Sequence, residues 1–160
     1  MTLVLSFDLP TETDTRALGA KLAPLLRPGD VIALTGTLGT GKSTLARALI
    51  RALTDAEEEV PSPTFTLVQQ YETEAGLVWH FDLYRLEKPD DALELDIEEA
   101  FAEGISLIEW PDRLGAHLPR RRLEVLLQQD EAGIGRHATL TAYGPWAERI
   151  AELPHDGLSC

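Results

Sequence analysis

The run Gly36-Thr37-Leu38-Gly39-Thr40-Gly41-Lys42-Ser43 combines residue types that together hold a triphosphate. Gly36, Gly39 and Gly41 free the backbone to turn successive N–H groups inward onto phosphate oxygens. Lys42 adds a point charge for the β- and γ-phosphates, and the hydroxyl of Ser43, followed by Thr44, can ligate Mg²⁺. A helix starting at Ser43 would aim its positive dipole end at the same anion. At average residue usage the four fixed positions recur by chance in roughly one in a few hundred chains of this length. Nucleoside triphosphate with magnesium is therefore the expected ligand.

Such a loop needs a further acidic group at the end of a neighbouring strand, to hold the metal's water shell or orient an attacking water. Leu77-Val78-Trp79-His80-Phe81-Asp82 and Ile105-Ser106-Leu107-Ile108-Glu109 are apolar runs that end in a carboxylate. Asp82 and Glu109 are the candidates; the plain alternative is a strand-end acid turning to water. Ser62 and Thr64 lie on a proline-constrained segment that could sense a γ-phosphate or simply form turns. His80 reads as facing solvent or packing on the sheet beside Trp79, with a catalytic role the lesser reading. Arg120-Arg121-Arg122 could stabilise a transferring phosphoryl group, although such a run is more often a solvated strand entrance. The acidic stretch from Glu87 to Glu99 reads first as an exposed helical face.

The elements that must position these residues are legible in outline. Met1 to Leu9 reads as a strand. Thr11, with Asp14 three residues on, can cap a helix carrying Leu18, Leu22, Leu25 and Leu26, which Arg27-Pro28-Gly29-Asp30 stops. Val31 to Thr35 is apolar throughout, as a strand buried on both faces is, and it feeds the glycine loop. Leu45, Ala46, Leu49, Ile50 and Leu53 continue as a helix, so the loop has the flanks it requires. Thr64 to Tyr71 and Leu77 to Leu83 are β-rich runs around a hairpin at Glu72 to Gly76. The sheet is thus expected to be mixed. Pro89 to Phe101 is helical, as two short turns; Pro111 closes the Ile105 strand. Leu123 to Gln128 and His137 to Tyr143 form a C-terminal β-hairpin around Gly133-Ile134-Gly135, before a helix from Pro145 to Leu153. The expected class is α/β, a P-loop-like three-layer sandwich, with residues 1–153 as one domain and 154–160 as a tail.

With 160 residues, 44% hydrophobic and 26% charged, the composition is that of an ordinary globular protein without a membrane span. A net charge of −13 argues against direct grip on nucleic acid, whose phosphates need clustered Lys and Arg. Against eleven arginines stand three lysines, which makes Lys42 harder to attribute to chance. The lone Cys160 excludes an intrachain disulfide, and the first nine residues hold Asp8 and no basic leader, so a reducing cytoplasm is expected. Guanine-reading GTPases use an Asn-Lys-x-Asp motif; the chain has no asparagine, which favours ATP. A P-loop kinase of small molecules shares the loop, but no arginine-rich lid insert is present. A nucleotide-dependent binding module without useful hydrolysis is the third class.

Taken in order, Leu9 to Leu26, Gly36 to Thr44, Ser62-Pro63-Thr64-Phe65-Thr66-Leu67-Val68, His80-Phe81-Asp82-Leu83-Tyr84-Arg85-Leu86 and Ile108-Glu109-Trp110-Pro111 resemble the TsaE (YjeE) family, the bacterial ATPase of tRNA threonylcarbamoyladenosine formation. The resemblance spans roughly Leu9 to Arg136. It implies an ATPase that joins TsaB and TsaD, supports their repeated turnover, and meets tRNA only through that complex. It also implies ATP and Mg²⁺ as cofactors. Lys42, Ser43 and Thr44 match the family's phosphate and metal positions, Asp82 its strand-end aspartate and Glu109 its metal-linked glutamate. Trp110 falls beside the nucleotide, Ser62 and Thr64 in a switch-like loop, and Thr11 with Gly135-Arg136 where the family approaches the nucleotide. The family usually carries aspartate where this chain has Thr37. On this pattern Lys42, Asp82 and Glu109 are the catalytic set; Ser43, Asp82 and Glu109 are the metal set; and Thr11, Gly36, Gly39, Thr40, Gly41, Thr44, Thr64, Trp110 and Arg136 complete the nucleotide contacts.

Overall fold

The computed structural model describes residues 2–36, 41–55, 57–63, 66–129, 135–151 and 153. Its strands are β1 (Thr2–Leu9), β2 (Val31–Thr35), β3 (Val68–Thr73), β4 (Gly76–Asp82), β5 (Ile105–Glu109), β6 (Leu123–Gln129) and β7 (Arg136–Tyr143). The α-helices are α1 (Glu12–Leu22), α2 (Lys42–Leu53), α3 (Ile97–Glu103) and α4 (Trp146–Ala151). All the strands join one seven-stranded sheet in the order β1-β7-β6-β2-β5-β4-β3. The central four, β6-β2-β5-β4, are mutually parallel, and the outer pairings are antiparallel.

Burial follows the apolar pattern of each strand. Every residue of β5 and the first four of β2 are buried, as a parallel strand covered on both faces requires. In β6 and β7 buried residues alternate with more exposed ones, because one face of that hairpin stays wet. One face of the sheet packs Ile32, Leu34, Leu107 and Val125 against Leu18, Leu22, Leu45, Leu49 and Trp146 of the helices. The other packs Trp79, Phe81 and Ile108 against Ala92, Ile97, Ala100 and Leu114. The result is a mixed sheet between two helical layers, with a β-hairpin of β6 and β7 near the C-terminus.

Local chemistry accounts for the boundaries. Thr11 caps α1 in a reciprocal box with Asp14. Pro24 then tightens the chain into a 3-10 turn, Ala23–Leu25, so the leucine series continues past the α-helix proper. Where α1 crosses α2, a Cβ on Gly19 would lie 2.7 Å from that of Ala48, so this contact needs glycine. The Pro89 region does split into two pieces: a 3-10 segment, Pro89–Leu95, and α3, separated by Asp96 in the left-handed region.

Several boundaries differ from the expectation, among them the last helix, which is Trp146–Ala151 rather than Pro145 to Leu153. β3 starts at Val68 rather than Thr64: the Leu67 N–H, at φ 68°, bonds the Pro63 carbonyl at 2.6 Å and makes a turn there. Thr64 and Phe65 themselves lie outside the described residues. The β3–β4 turn is tighter than expected, with Thr73 paired to Gly76 and its hydroxyl bonded to the Gly76 carbonyl at 2.6 Å. Pro111 does not merely close β5; it opens a further 3-10 segment, Pro111–His117, which seats Leu114 in the core. Gly133 and Ile134 of the second hairpin, and residues 154–160, fall outside the described residues.

Gly104, at the end of α3, fixes how closely that helix approaches the sheet. A Cβ there would come within 2.6 Å of the Trp79 indole and 3.0 Å of the Leu77 carbonyl oxygen. Trp79 is buried and cannot swing aside. Gly104→Ala is expected to lower stability by about 1–3 kcal/mol, read as a lower urea midpoint at unchanged m-value.

Candidate functional site

Parallel pairing delivers the functional residues to one edge of the sheet. Glu109, the last residue of β5, lies opposite Leu34 of β2 on one side and opposite Asp82, the last residue of β4, on the other. The glycine loop leaves β2 at that edge. Antiparallel pairing also brings in the end of β1 and the start of β7, where Leu9 faces Arg136. These ends surround a cleft of about 470 Å³, a size suited to a cofactor or nucleotide. Thr11, Gly41, Lys42, Ser43, Thr44, Asp82, Glu109, Trp110, Gly135 and Arg136 all line it.

Gly41 holds φ 97°, a left-handed conformation that glycine adopts without strain, and it delivers the chain into α2. In the first turn Lys42 is only 5% exposed. Its Nζ donates to the carbonyl of Gly36 at 2.7 Å and sits 3.6 Å from the centre of the Trp110 ring. Burial pushes the Lys42 ammonium below its ordinary value of 10.5, while Glu109, Asp82 and Asp112 oppose that shift. A buried cation facing carboxylates, with a neutral carbonyl and an aromatic face as its partners, is poised to exchange them for phosphate oxygens.

Below Lys42, Ser43 Oγ donates to Glu109 Oε1 at 3.0 Å. The second carboxylate oxygen, Oε2, lies 2.7 Å from His80 Nε2. With its proton on Glu109, the Ser43 hydroxyl keeps its lone pairs for a cation. Asp82 Oδ1 accepts the Tyr84 N–H at 3.1 Å, which fixes the turn after β4. Hydroxyl and carboxylate oxygens are hard donors of the kind Mg²⁺ takes in small number, alongside phosphate and water. Among the described residues no group of His, Cys, Asp and Glu forms a metal cage of its own. The donor set therefore fits Mg²⁺ bound jointly with a nucleotide.

Trp110 occupies the left-handed region at φ 61°, ψ 52°, unusual for a bulky residue. The conformation turns its ring over Lys42 and against Tyr84, with 5.0 Å between ring centres. Backbone strain of this kind is maintained by surrounding contacts and concentrates at binding sites.

Thr11 spends its hydroxyl on the α1 cap, 2.8 Å from Asp14 Oδ2, and lines the cleft from there. Arg136 Nη1 donates to the Gly135 carbonyl at 3.1 Å. Gly36 is placed by the Lys42 bond. Gly39, Thr40 and Thr64, together with Thr37, lie outside the described residues. Ser62 is exposed.

The favoured reading of one motif holds and the reading of one residue changes. Arg120-Arg121-Arg122 precede β6, whose first residue pairs with Ile32 near the start of β2, so they stand at the edge opposite the cleft. Arg122 pairs there with Glu124 at 2.6 Å and stacks on Tyr143, and the run is a strand entrance rather than a phosphate finger. His80 neither faces solvent nor merely packs: it is 1% exposed and bonded to Glu109. The signal was present in the alternation of β4, since residues 80 and 82 must share a face.

The profile of the family described as "Threonylcarbamoyl adenosine biosynthesis protein TsaE" matches residues 9–138. Proteins named tRNA threonylcarbamoyladenosine biosynthesis protein TsaE are similar to the chain. That of Aquifex aeolicus is 45% identical over 114 residues, covering 71% of this chain and 81% of the relative. That of Bacillus subtilis is 34% identical over 152 residues, covering 91% and 92%. A crystal structure of Bacillus subtilis YdiB superposes with a TM-score of 0.74 at 27% identity, covering 95% of this chain and 94% of that one. Family profile, relatives and fold agree, and the chain belongs to the TsaE family of tRNA threonylcarbamoyladenosine biosynthesis proteins.

Proposed function

We propose that residues 1–153 form a single cytoplasmic ATPase domain that hydrolyses ATP with Mg²⁺ to sustain turnover of a TsaB–TsaD threonylcarbamoyl transferase complex. The observation that carries the reading is the bond from half-buried Ser43 to buried Glu109, directly under Lys42, with Glu109 in register with Asp82. Lys42 and the loop amides hold the β- and γ-phosphate charge. Ser43 binds the ion directly through its hydroxyl, and Glu109 and Asp82 hold its water shell or orient the attacking water. What bound magnesium supplies is neutralisation of the β- and γ-oxygens. Water attacks the γ-phosphorus in line, the bond to the β–γ bridging oxygen breaks, and ADP and phosphate leave. Trp110, Thr11 and Arg136 bound the space beside the phosphates, and Gly39, Thr40 and Thr64 complete the nucleotide contacts. The acidic chain leaves tRNA to the complex.

The test is multiple-turnover synthesis of modified adenosine by TsaB and TsaD homologues, with and without this chain, alongside ATP consumption by the chain alone and with those partners. Synthesis that proceeds equally well after omission overturns the proposal. So does ATP consumption that rises with small metabolites and ignores the partners.

Phosphate binding favours charged Lys42, whereas burial in the cleft favours the neutral form. ATP affinity is therefore expected to fall as pH rises through Lys42's own value, below 10.5, with a proton taken up on binding in that window. Titration calorimetry in buffers of different ionisation heat measures that proton. In Lys42→Arg, whose guanidinium stays charged, the uptake disappears.

A further inference from the structure

His80 is among the buried polar groups to which the ATPase reading gives no task. His80 lies two residues before Asp82 on the same face of β4, under the first turn of α2, and is sealed from the cleft. Its Nε2 is 2.7 Å from Glu109 Oε2. Its Nδ1, equally buried, meets no hydrogen-bond partner among the described residues. A histidine retained for packing alone would not need a polar ring in a layer otherwise built of Val78, Ile105 and Leu107. A carboxylate oxygen accepts, so Nε2 is the donor in this bond; in a neutral ring Nδ1 is then the acceptor, and the unpartnered atom is a lone pair rather than an N–H.

The bonds run in a chain: His80 Nε2–H to Glu109 Oε2, and Ser43 Oγ–H to Glu109 Oε1. A carboxylate held at one oxygen only can rotate about its terminal torsion, which is broad. Held by His80, it presents Oε1 to Ser43 in one direction, and with the serine proton directed onto Oε1 the hydroxyl lone pairs would be left to hold a cation. The geometry points to His80 as a positioning residue for the metal: its hydrogen bond orients Glu109, and through Glu109 the Ser43 hydroxyl, for divalent-cation binding with the nucleotide. This rests on the ATPase reading of the cleft. His80 does not line the cleft and touches no reacting atom, so its action is through Glu109 alone. Hydrogen-bond partners of metal ligands characteristically govern metal affinity in this way.

Three variants separate the bond from the volume. The amide nitrogen of His80→Gln reaches about as far as Nε2 and can donate to Glu109; His80→Asn is too short, and His80→Leu has no donor. Mn²⁺ binding to the ADP complex, followed by electron paramagnetic resonance, is the readout, with ADP affinity in EDTA as the companion measurement. In the Leu and Asn variants the Mn²⁺ dissociation constant is expected to rise about 10- to 100-fold, with EDTA-state ADP affinity unchanged, and Gln is expected to restore near wild-type metal binding. Thermal melts identify a variant that fails to fold, and the Gln–Asn contrast stands without the Leu variant. Wild-type Mn²⁺ affinity in both Leu and Asn overturns the assignment. Equal loss of metal and EDTA-state affinity in all three variants also overturns it, because His80 would then serve only the fold. Wild-type protein that binds no ADP at all would overturn the ATPase reading itself, a different result.

Discussion

Glu109→Ala is expected to lower ATP turnover about 10²–10³-fold while leaving metal-free nucleotide binding nearly intact. The carboxylate joins two partners at once, Ser43 at 3.0 Å and His80 at 2.7 Å, and both lose their acceptor when it is removed. On the proposed reading the phosphates are held by Lys42 and the loop amides, which the substitution does not alter. The deficit should therefore fall on metal-dependent steps: half-saturating Mg²⁺ rises and kcat falls, whereas ADP affinity in EDTA stays close to wild type. Asp82 is 6% exposed and tied to the turn through Tyr84, so Asp82→Ala should also reduce turnover. Because Asp82 and Glu109 face one another across β4 and β5, their losses should not add in the double variant. Steady-state kinetics over a magnesium series measures all of this. A Glu109→Ala enzyme within tenfold of wild type would remove Glu109 from the catalytic set.

Far from the cleft, Asp30→Ala is expected to destabilise the fold by about 3 kcal/mol, a fall in melting temperature of roughly 6–12 °C for a domain of this size. Asp30 Oδ2 accepts from Arg149 Nη1 and from the Arg27 N–H, both at 2.6 Å, which ties α4 and the chain after α1 to the start of β2. The aspartate side chain is 8% exposed and the arginine 14%, so removing the anion strands a largely desolvated guanidinium. Arg149 keeps its stacking on Trp146, which moderates the loss. Adding salt should not erase the difference, as it would for a surface pair. Replacing both partners by apolar residues should recover much of the stability. Denaturant melts of the two single variants and the double variant decide it; an Asp30→Ala change within 0.5 kcal/mol of wild type contradicts the account.

What the sequence made legible were features written in local pattern. The apolar run of Ile105 to Ile108 before Glu109, the apolar β2 before the loop, and the Thr11–Asp14 cap each announce an element and its end. They suffice to place Lys42, Ser43, Asp82 and Glu109 at one edge. The remainder depends on contacts between distant segments. Nothing around Trp110 marks a left-handed backbone; it is set by the Tyr84 ring and the Lys42 ammonium arriving from other elements. The 3-10 segment that Pro111 opens has no helical apolar period of its own, and Pro111 and Leu114 are the residues it buries. His80 looked ordinary because its partner lies 29 residues further on.

The face-to-face placement of Asp82 and Glu109 has a consequence for how this protein can fail. Side chains alternate along a strand, so a slip of β4 against β5 by one residue would carry Asp82 to the opposite side of the sheet. No intermediate misalignment leaves a partly competent pair. Sequence changes that loosen the β4–β5 seam, such as crowding at Gly104 beneath Trp79, should thus remove activity in a stepwise manner, in a population still compact and largely folded. Assays of amount or solubility would miss such molecules; only counting competent sites, by stoichiometric nucleotide titration, would reveal them.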